Sequence, residues 1–260
     1  MFKNKYVTLW LLLSLALIII LLLAFVDDIK IGTYTLKKAP IAETLWKDKS
    51  ISDSLMNPQI FDKVKQEPEM LVEVDSLPQN FLIFGDSMTF NLSLRLAQYA
   101  KQNGHQIHAL NWDSSGTKIW AESDTLEYYI NLYKPTQIFI ALGSNELGMT
   151  NPDSRIPYIK KILAQIGDIP YVWIGPPNWK KDSGINRVLA SECAPGSFFL
   201  SDGMEFERGP DKKHPTAKSS ALWMDSIIRW IPKSSHPFVA TLPSDSIGKV
   251  SSNVIFLKRK

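Results

Sequence analysis

Cysteine is nearly absent: Cys193 stands alone in 260 residues. An internal disulfide is thereby excluded, and so are the paired-thiol patterns of zinc and redox sites. Histidine is scarce as well. His105, His108, His214 and His236 are the only four, and no pair falls at a spacing such as H-E-x-x-H, so no metal site is expected. Charge is balanced, with 29 Lys and Arg against 26 Asp and Glu, a net +3. That excess is too small to argue for a nucleic-acid partner. No internal repeat, low-complexity tract or cofactor motif is present, and no cofactor is expected.

Charge is missing altogether from "YVTLWLLLSLALIIILLLAFV", residues 6–26. As a helix at roughly 1.5 Å per residue the run reaches about 31 Å, enough to cross a hydrocarbon core. Lys3 and Lys5 precede it and Asp27 and Asp28 follow it. The positive-inside bias then places residues 1–5 in the cytoplasm and everything after the run outside. The alternative is a cleaved signal peptide. The run is longer than the apolar region of such a peptide, and "LLLAFVDD" lacks a small-residue exit. A single-pass transmembrane anchor is the favoured reading.

Residues 27–78 form a lead-in or stalk. Pro40, Pro58, Pro68 and Pro78 punctuate it, with short helices expected around "AETLW" and "PQIFDKVKQ". From residue 79 strands and helices alternate. "NFLIFGDS" reads as a buried strand ending in a glycine turn. "FNLSLRLAQYAKQNG" has helical spacing and a terminal Gly104. "HQIHALNW" is a second strand, "DTLEYYINLYK" a helix that stops before Pro135, and "TQIFIALGSNE" a third strand. "RIPYIKKILAQIG" is helical, "IPYVWIGPP" is a fourth strand and "GSFFLSD" a fifth candidate. "TAKSSALWMDSIIRWI" is the last helix. This alternation predicts an α/β fold, a flavodoxin-like three-layer α/β/α domain on a parallel sheet, over residues 79–232. Residues 233–260 are rich in Ser and Pro and read by default as a solvated tail, the alternatives being a segment that packs across the domain or binds a partner.

In open parallel sheets ligands bind beyond the carboxyl ends of the strands. The polar residues expected there are Gly85-Asp86-Ser87, "NWDSSGTK" with Gly116, and "GSNE" with Gly143 and Asn145. "DKKHPT", with Asp211 and His214, lies just before the last helix. Taken singly, each has a plain structural role. Ser87 suits a helix N-cap, Gly116 and Asn145 suit turns, and Pro215 suits the first turn of a helix. His105 and His108 read as structural or exposed, and His236 lies in the tail. Taken together, the segments supply a hydroxyl nucleophile, a base, a carboxylate to orient the base, and donors for an oxyanion. Those are the four parts of an acyl-transfer site. Asp86 reads as a turn-shaping residue.

The set resembles the SGNH hydrolase superfamily, the GDSL-type esterases and acyltransferases, over about residues 80–230. "GDSMT" is similar to the first block of that family, "GSNE" to the third and "DKKHPT" to the last. Gly116 stands for the second by order and position. Two positions depart from the family pattern: Met88 follows Ser87 where Leu is usual, and Glu146 follows Asn145 where Asp is usual. The resemblance implies that Ser87, His214 and Asp211 form a catalytic triad. It also implies that Ser87, Gly116 and Asn145 form the oxyanion hole. Single-pass anchored members resemble proteins that act on cell-envelope glycans. An extracytoplasmic (periplasmic or cell-surface) esterase for ester, notably O-acetyl, groups of a carbohydrate or envelope substrate is therefore the first expectation. An envelope O-acyltransferase fed by a membrane acyl-donor partner is the second. A non-catalytic glycan-binding or assembly protein is the third. Trp112, Trp120 and Trp179 fall near the site loops. Packing is their plainer role, and stacking on sugar rings the alternative.

Overall fold

The computed structural model describes residues 29–31, 34–36, 73–244, 250 and 253–258. The chain divides into two units, Met1–Met70 and Leu71–Lys260. In the first, β1 (Ile29–Ile31) and β2 (Tyr34–Leu36) pair antiparallel as a short hairpin, which the lead-in reading did not anticipate. The expected membrane anchor at 6–26 and the helices expected at "AETLW" and "PQIFDKVKQ" lie outside the described residues. Among the described residues no helix is long and apolar enough to cross a membrane.

The second unit is built on six strands: β3 (Asn80–Gly85), β4 (Gln106–Trp112), β5 (Gln137–Ala141), β6 (Tyr171–Ile174), β7 (Phe198–Phe199) and β8 (Val254–Leu257). Their spatial order is β7-β6-β5-β3-β4-β8, and every pairing is parallel. β3 and β5 are apolar almost throughout and buried on both faces, as the central strands of a covered parallel sheet must be.

Side chains alternate between two cores. Phe81, Ile83, Ala109, Phe139 and Val172 point to one face. There they meet α1 (Thr89–Asn103) and α6 (Ala217–Trp230) through Leu92, Leu96, Trp223 and Ile227. Leu82, Phe84, Leu110, Ile138 and Trp173 point to the other. Four helices cover that side: α2 (Thr117–Glu122), α3 (Thr125–Tyr133), α4 (Ile156–Ile166) and α5 (Ile185–Glu192). The three-layer α/β/α arrangement is the one the alternation of elements predicts. α1 ends at Gly104 in the left-handed conformation, and α3 ends at Lys134, immediately before Pro135. α1 and α6 are tied by Asp225, which accepts from Arg95 Nε at 2.7 Å and from the Tyr99 hydroxyl at 2.9 Å.

Among the described residues after 232, several pack on the domain and do not form the solvated tail of the default reading. Phe238 is buried against Phe81 and Phe139, and Val239 N–H donates to the Asp75 carbonyl. β8 then adds to the β4 edge in register Ala109–Val254 to Trp112–Leu257. The order of the sheet reverses between β3 and β5. β4 lies to one side of that pair, and β6 and β7 lie to the other. A reversal of this kind opens a crevice at the carboxyl ends of the two strands. Ser87 follows β3, and Asn145 follows β5.

Candidate active site

Gly85 makes the first turn possible. A Cβ there would sit 1.9 Å from the Ala141 carbonyl oxygen, so only glycine lets β3 run this close to the end of β5. Asp86 follows, fully buried. Its Oδ1 accepts the Met88 N–H at 3.0 Å, and its Oδ2 accepts the Ser144 N–H at 3.1 Å. Asp86 thus shapes its own turn, as expected, and also pins the turn after β5. Burial pushes its carboxyl up to about 7, against the pull of the two N–H donors.

Ser87 is left free of capping duty. Met88 holds the N-cap position of α1, and no side chain caps that helix. Ser87 Oγ instead shares a 2.7 Å hydrogen bond with His214 Nε2. His214 Nδ1 lies 2.5 Å from Asp211 Oδ2, and Asp211 Oδ1 accepts the backbone N–H groups of Lys213 and His214. The hydrogen bond from His214, then those backbone donors, hold the Asp211 carboxyl well below the usual carboxylate range. The loop is braced by Arg208, which donates to the Lys213 carbonyl, and by a Gly209 N–H bond to the His214 carbonyl. The His214 and Asp211 side chains are 40% and 47% exposed, so this hydrogen-bonded group is open to solvent.

The other two predicted residues stand on loops that touch. Asn145 Nδ2 donates to the Ser115 carbonyl at 2.9 Å, which places the turn after β5 against the loop that carries Gly116. Gly116 sits at the N-cap of α2 with extended backbone. Ser87, His214 and Asp211 therefore form one hydrogen-bonded group, Asn145 and the Gly116 loop form a second, and Asp86 links the two through Ser144.

Two contributors were underweighted in the sequence. Glu146, noted only as a departure from a family pattern, is buried. Its Oε1 accepts the Thr117 N–H at 3.0 Å and the Thr117 hydroxyl at 2.6 Å, and pairs with Arg155 Nε at 3.1 Å. Burial raises its pKa, while Thr117 and Arg155 oppose the shift. Trp179 is the second. Its Nε1 donates to the Ser144 carbonyl and hydroxyl, each at 3.2 Å. Lys180 Nζ and Lys213 Nζ lie 4.7 and 5.0 Å from its ring centre, so its π-system already faces ammonium groups. Trp120 is fully buried against Phe84, and Trp112 packs edge-on to Trp120; for these two, packing is the observed role. His105 is structural, accepting the Gln79 N–H at Nδ1. Cys193 is no rival nucleophile, because burial pushes its thiol up to about 12.

No family model matches the chain, and no curated protein matches it. Among solved structures, the chain is similar to a protein assigned to the G-D-S-L lipolytic family from Desulfitobacterium hafniense. The identity is 12% and the TM-score 0.42, over 58% of this chain and 98% of that one. It is also similar to a gut microbial diltiazem-metabolizing enzyme, with 11% identity and a TM-score of 0.34, over 65% and 38%. A third likeness is to a GDP-L-fucose synthetase from Naegleria fowleri, with 14% identity and a TM-score of 0.29, over 66% and 52%. These likenesses are distant, and the chemistry proposed for the site rests on the chain's own residues.

Proposed function

We propose that the chain is an SGNH-type serine esterase that removes acyl groups, O-acetyl above all, from a carbohydrate or cell-envelope substrate. The observation that carries the reading is the Ser87–His214–Asp211 hydrogen-bonded relay at a strand-to-helix turn. Asp211 and His214 meet within one short loop, but nothing in local folding requires Ser87 to meet them. Ser87 and His214 are 127 residues apart, and the serine does no capping.

In this mechanism the His214 tautomer with its proton on Nδ1 donates to Asp211, leaving Nε2 free to accept from the Ser87 hydroxyl. Ser87 Oγ attacks the ester carbonyl carbon as its proton passes to His214 Nε2. The tetrahedral oxyanion is held by the Ser87 and Gly116 N–H groups and by the Asn145 amide. Asn145 already spends one Nδ2 hydrogen on Ser115, and its second is the one available to substrate. Collapse expels the alkoxide, which takes the proton from His214. Water then attacks the acyl carbonyl on Ser87 as its proton passes to His214 Nε2; collapse breaks the C–Oγ bond, the proton returns from Nε2 to Ser87 Oγ, and the acid is released. Residues 6–26 anchor the chain in a membrane in this proposal, with the N-terminus cytoplasmic and the site extracytoplasmic; the support is the uncharged run and its flanking charges. The exposed relay suits a polymer chain better than an acyl chain that must be sheltered from water.

The test is release of free acetate from an O-acetylated polysaccharide by the wild type and by Ser87→Ala. Acetate release that disappears in the variant supports the proposal. Equal release from both proteins sinks it. Transfer of the acetyl group to an added glycan, without release, would replace hydrolysis by acyl transfer.

A further inference from the structure

We infer that Glu146 is a positioning residue for the oxyanion donors, fixing the Gly116 N–H and the Asn145 amide relative to one another. The inference rests on the esterase reading above. Gly116 is bracketed by two contacts from the turn after β5. On one side Asn145 Nδ2 holds the Ser115 carbonyl at 2.9 Å. On the other, Glu146 Oε1 holds both the N–H and the hydroxyl of Thr117. The Glu146 carboxylate also lies directly under Gly116, since a Cβ on that glycine would meet Oε1 at 3.0 Å and Cδ at 3.2 Å. Adjacent residues of one turn therefore grip both neighbours of the glycine whose N–H the esterase reading assigns to the oxyanion.

The choice of residue follows from the contacts. Oε1 serves three donors at once, the two from Thr117 and Arg155 Nε, and an anionic oxygen is the strongest acceptor for such a set. Glu146 Oε2 is buried and has no hydrogen-bond partner among the described residues. A buried unsatisfied oxygen is costly, and a group serving packing alone would not carry one. An aspartate would be one methylene short of Thr117. The glutamate that departs from the family pattern is thus the residue whose length spans the gap between the two loops. The groups facing it are Arg155, Thr117 and, through the field, Asp86.

The experiment is a double-mutant cycle on p-nitrophenyl acetate hydrolysis, read as kcat and KM separately. The proteins are wild type, Glu146→Ala, Asn145→Ala and the double variant, with Glu146→Gln and Glu146→Asp as rescue variants. Losing one oxyanion donor costs about 100- to 1,000-fold in kcat, so a misaligned pair predicts a loss of roughly 10- to 100-fold for Glu146→Ala, with KM within about threefold. Groups that act through one another are not additive, so the double variant falls below Asn145→Ala by less than the loss that Glu146→Ala shows on its own, the remainder being the misaligned Gly116 N–H. Glu146→Gln keeps an acceptor for Thr117 and recovers most of the rate, whereas Glu146→Asp does not. Near-wild-type kcat in Glu146→Ala overturns the inference, as do losses that multiply in the double variant. A rate loss that merely follows the folded fraction overturns it too. Should Glu146→Ala fail to fold, Thr117→Val removes one donor to the same oxygen and must lower kcat several-fold; an unchanged rate overturns the inference. If wild type neither hydrolyses the ester nor forms a fluorophosphonate adduct, the esterase reading falls and takes this inference with it. An active wild type with an indifferent Glu146→Ala defeats the inference alone.

Discussion

Asp86 makes the stability of the fold depend on pH in an unusual direction. Its carboxyl is raised from 3.8 to about 7, chiefly by burial. Between those two values the folded chain holds a proton that the unfolded chain has released. Stability contributed by this group is therefore full below about pH 4 and is lost as pH rises toward 7. Each pH unit of the gap is worth about 1.4 kcal/mol, so the window spans about 4 kcal/mol. Glu146 is shifted in the same direction and reinforces the trend. Asp86→Asn removes the titration while keeping one acceptor for the Met88 or Ser144 N–H. The assay is urea unfolding of wild type and Asp86→Asn at a series of pH values from 4 to 8, compared as the difference between the two proteins. Wild type must lose ground to the variant by several kcal/mol across that series. A difference that stays flat with pH, or one that moves in favour of wild type as pH rises, refutes the reasoning.

Three further outcomes follow from the contacts. Gly85→Ala forces a Cβ to within 1.9 Å of the Ala141 carbonyl, so β3 and β5 must part; a loss of about 2–4 kcal/mol is expected in denaturant unfolding, with activity lost as well. Asp225→Ala leaves Arg95 and the buried Tyr99 hydroxyl without their acceptor, which predicts a loss of about 3 kcal/mol in the same assay. Asp211→Asn preserves the loop but removes the carboxylate that orients His214, so kcat for ester hydrolysis should fall by roughly 10,000-fold while the melting temperature barely moves.

The layers of the fold were legible because their signals are local. Continuous apolar runs at Phe81–Phe84 and Ile138–Leu142 mark buried parallel strands, and helical spacing with Gly104 and Pro135 as stops marks α1 and α3. β8 was not legible. "NVIFL" is short and leaves Phe256 55% exposed, and its pairing with β4 spans more than 140 residues, a link no periodicity records. α2 and α5 escaped for a related reason, being six and eight residues long. The start of α5 is fixed by Asp182, which accepts the Gly184, Ile185 and Asn186 N–H groups, a cap placed three residues ahead of the helix.

At the site, order along the chain was enough to nominate Ser87, Gly116, Asn145, Asp211 and His214. The structure adds how they are joined. The contacts of Asp86 with Ser144, and of Glu146 with Thr117, cross between loops 58 and 29 residues apart. Their sequence trace is only an acidic residue beside each polar one, which reads equally well as solvated charge. Burial, invisible in the sequence, gives those two acids their role.

The central claim is that Ser87 is an activated nucleophile. Intact-mass analysis after treatment with a fluorophosphonate tests it most directly, applied to wild type, Ser87→Ala and His214→Ala. A single adduct on wild type, none on Ser87→Ala and a much slower one on His214→Ala is the predicted result. A folded wild type that takes no adduct, or one that takes it equally in Ser87→Ala, would contradict the account.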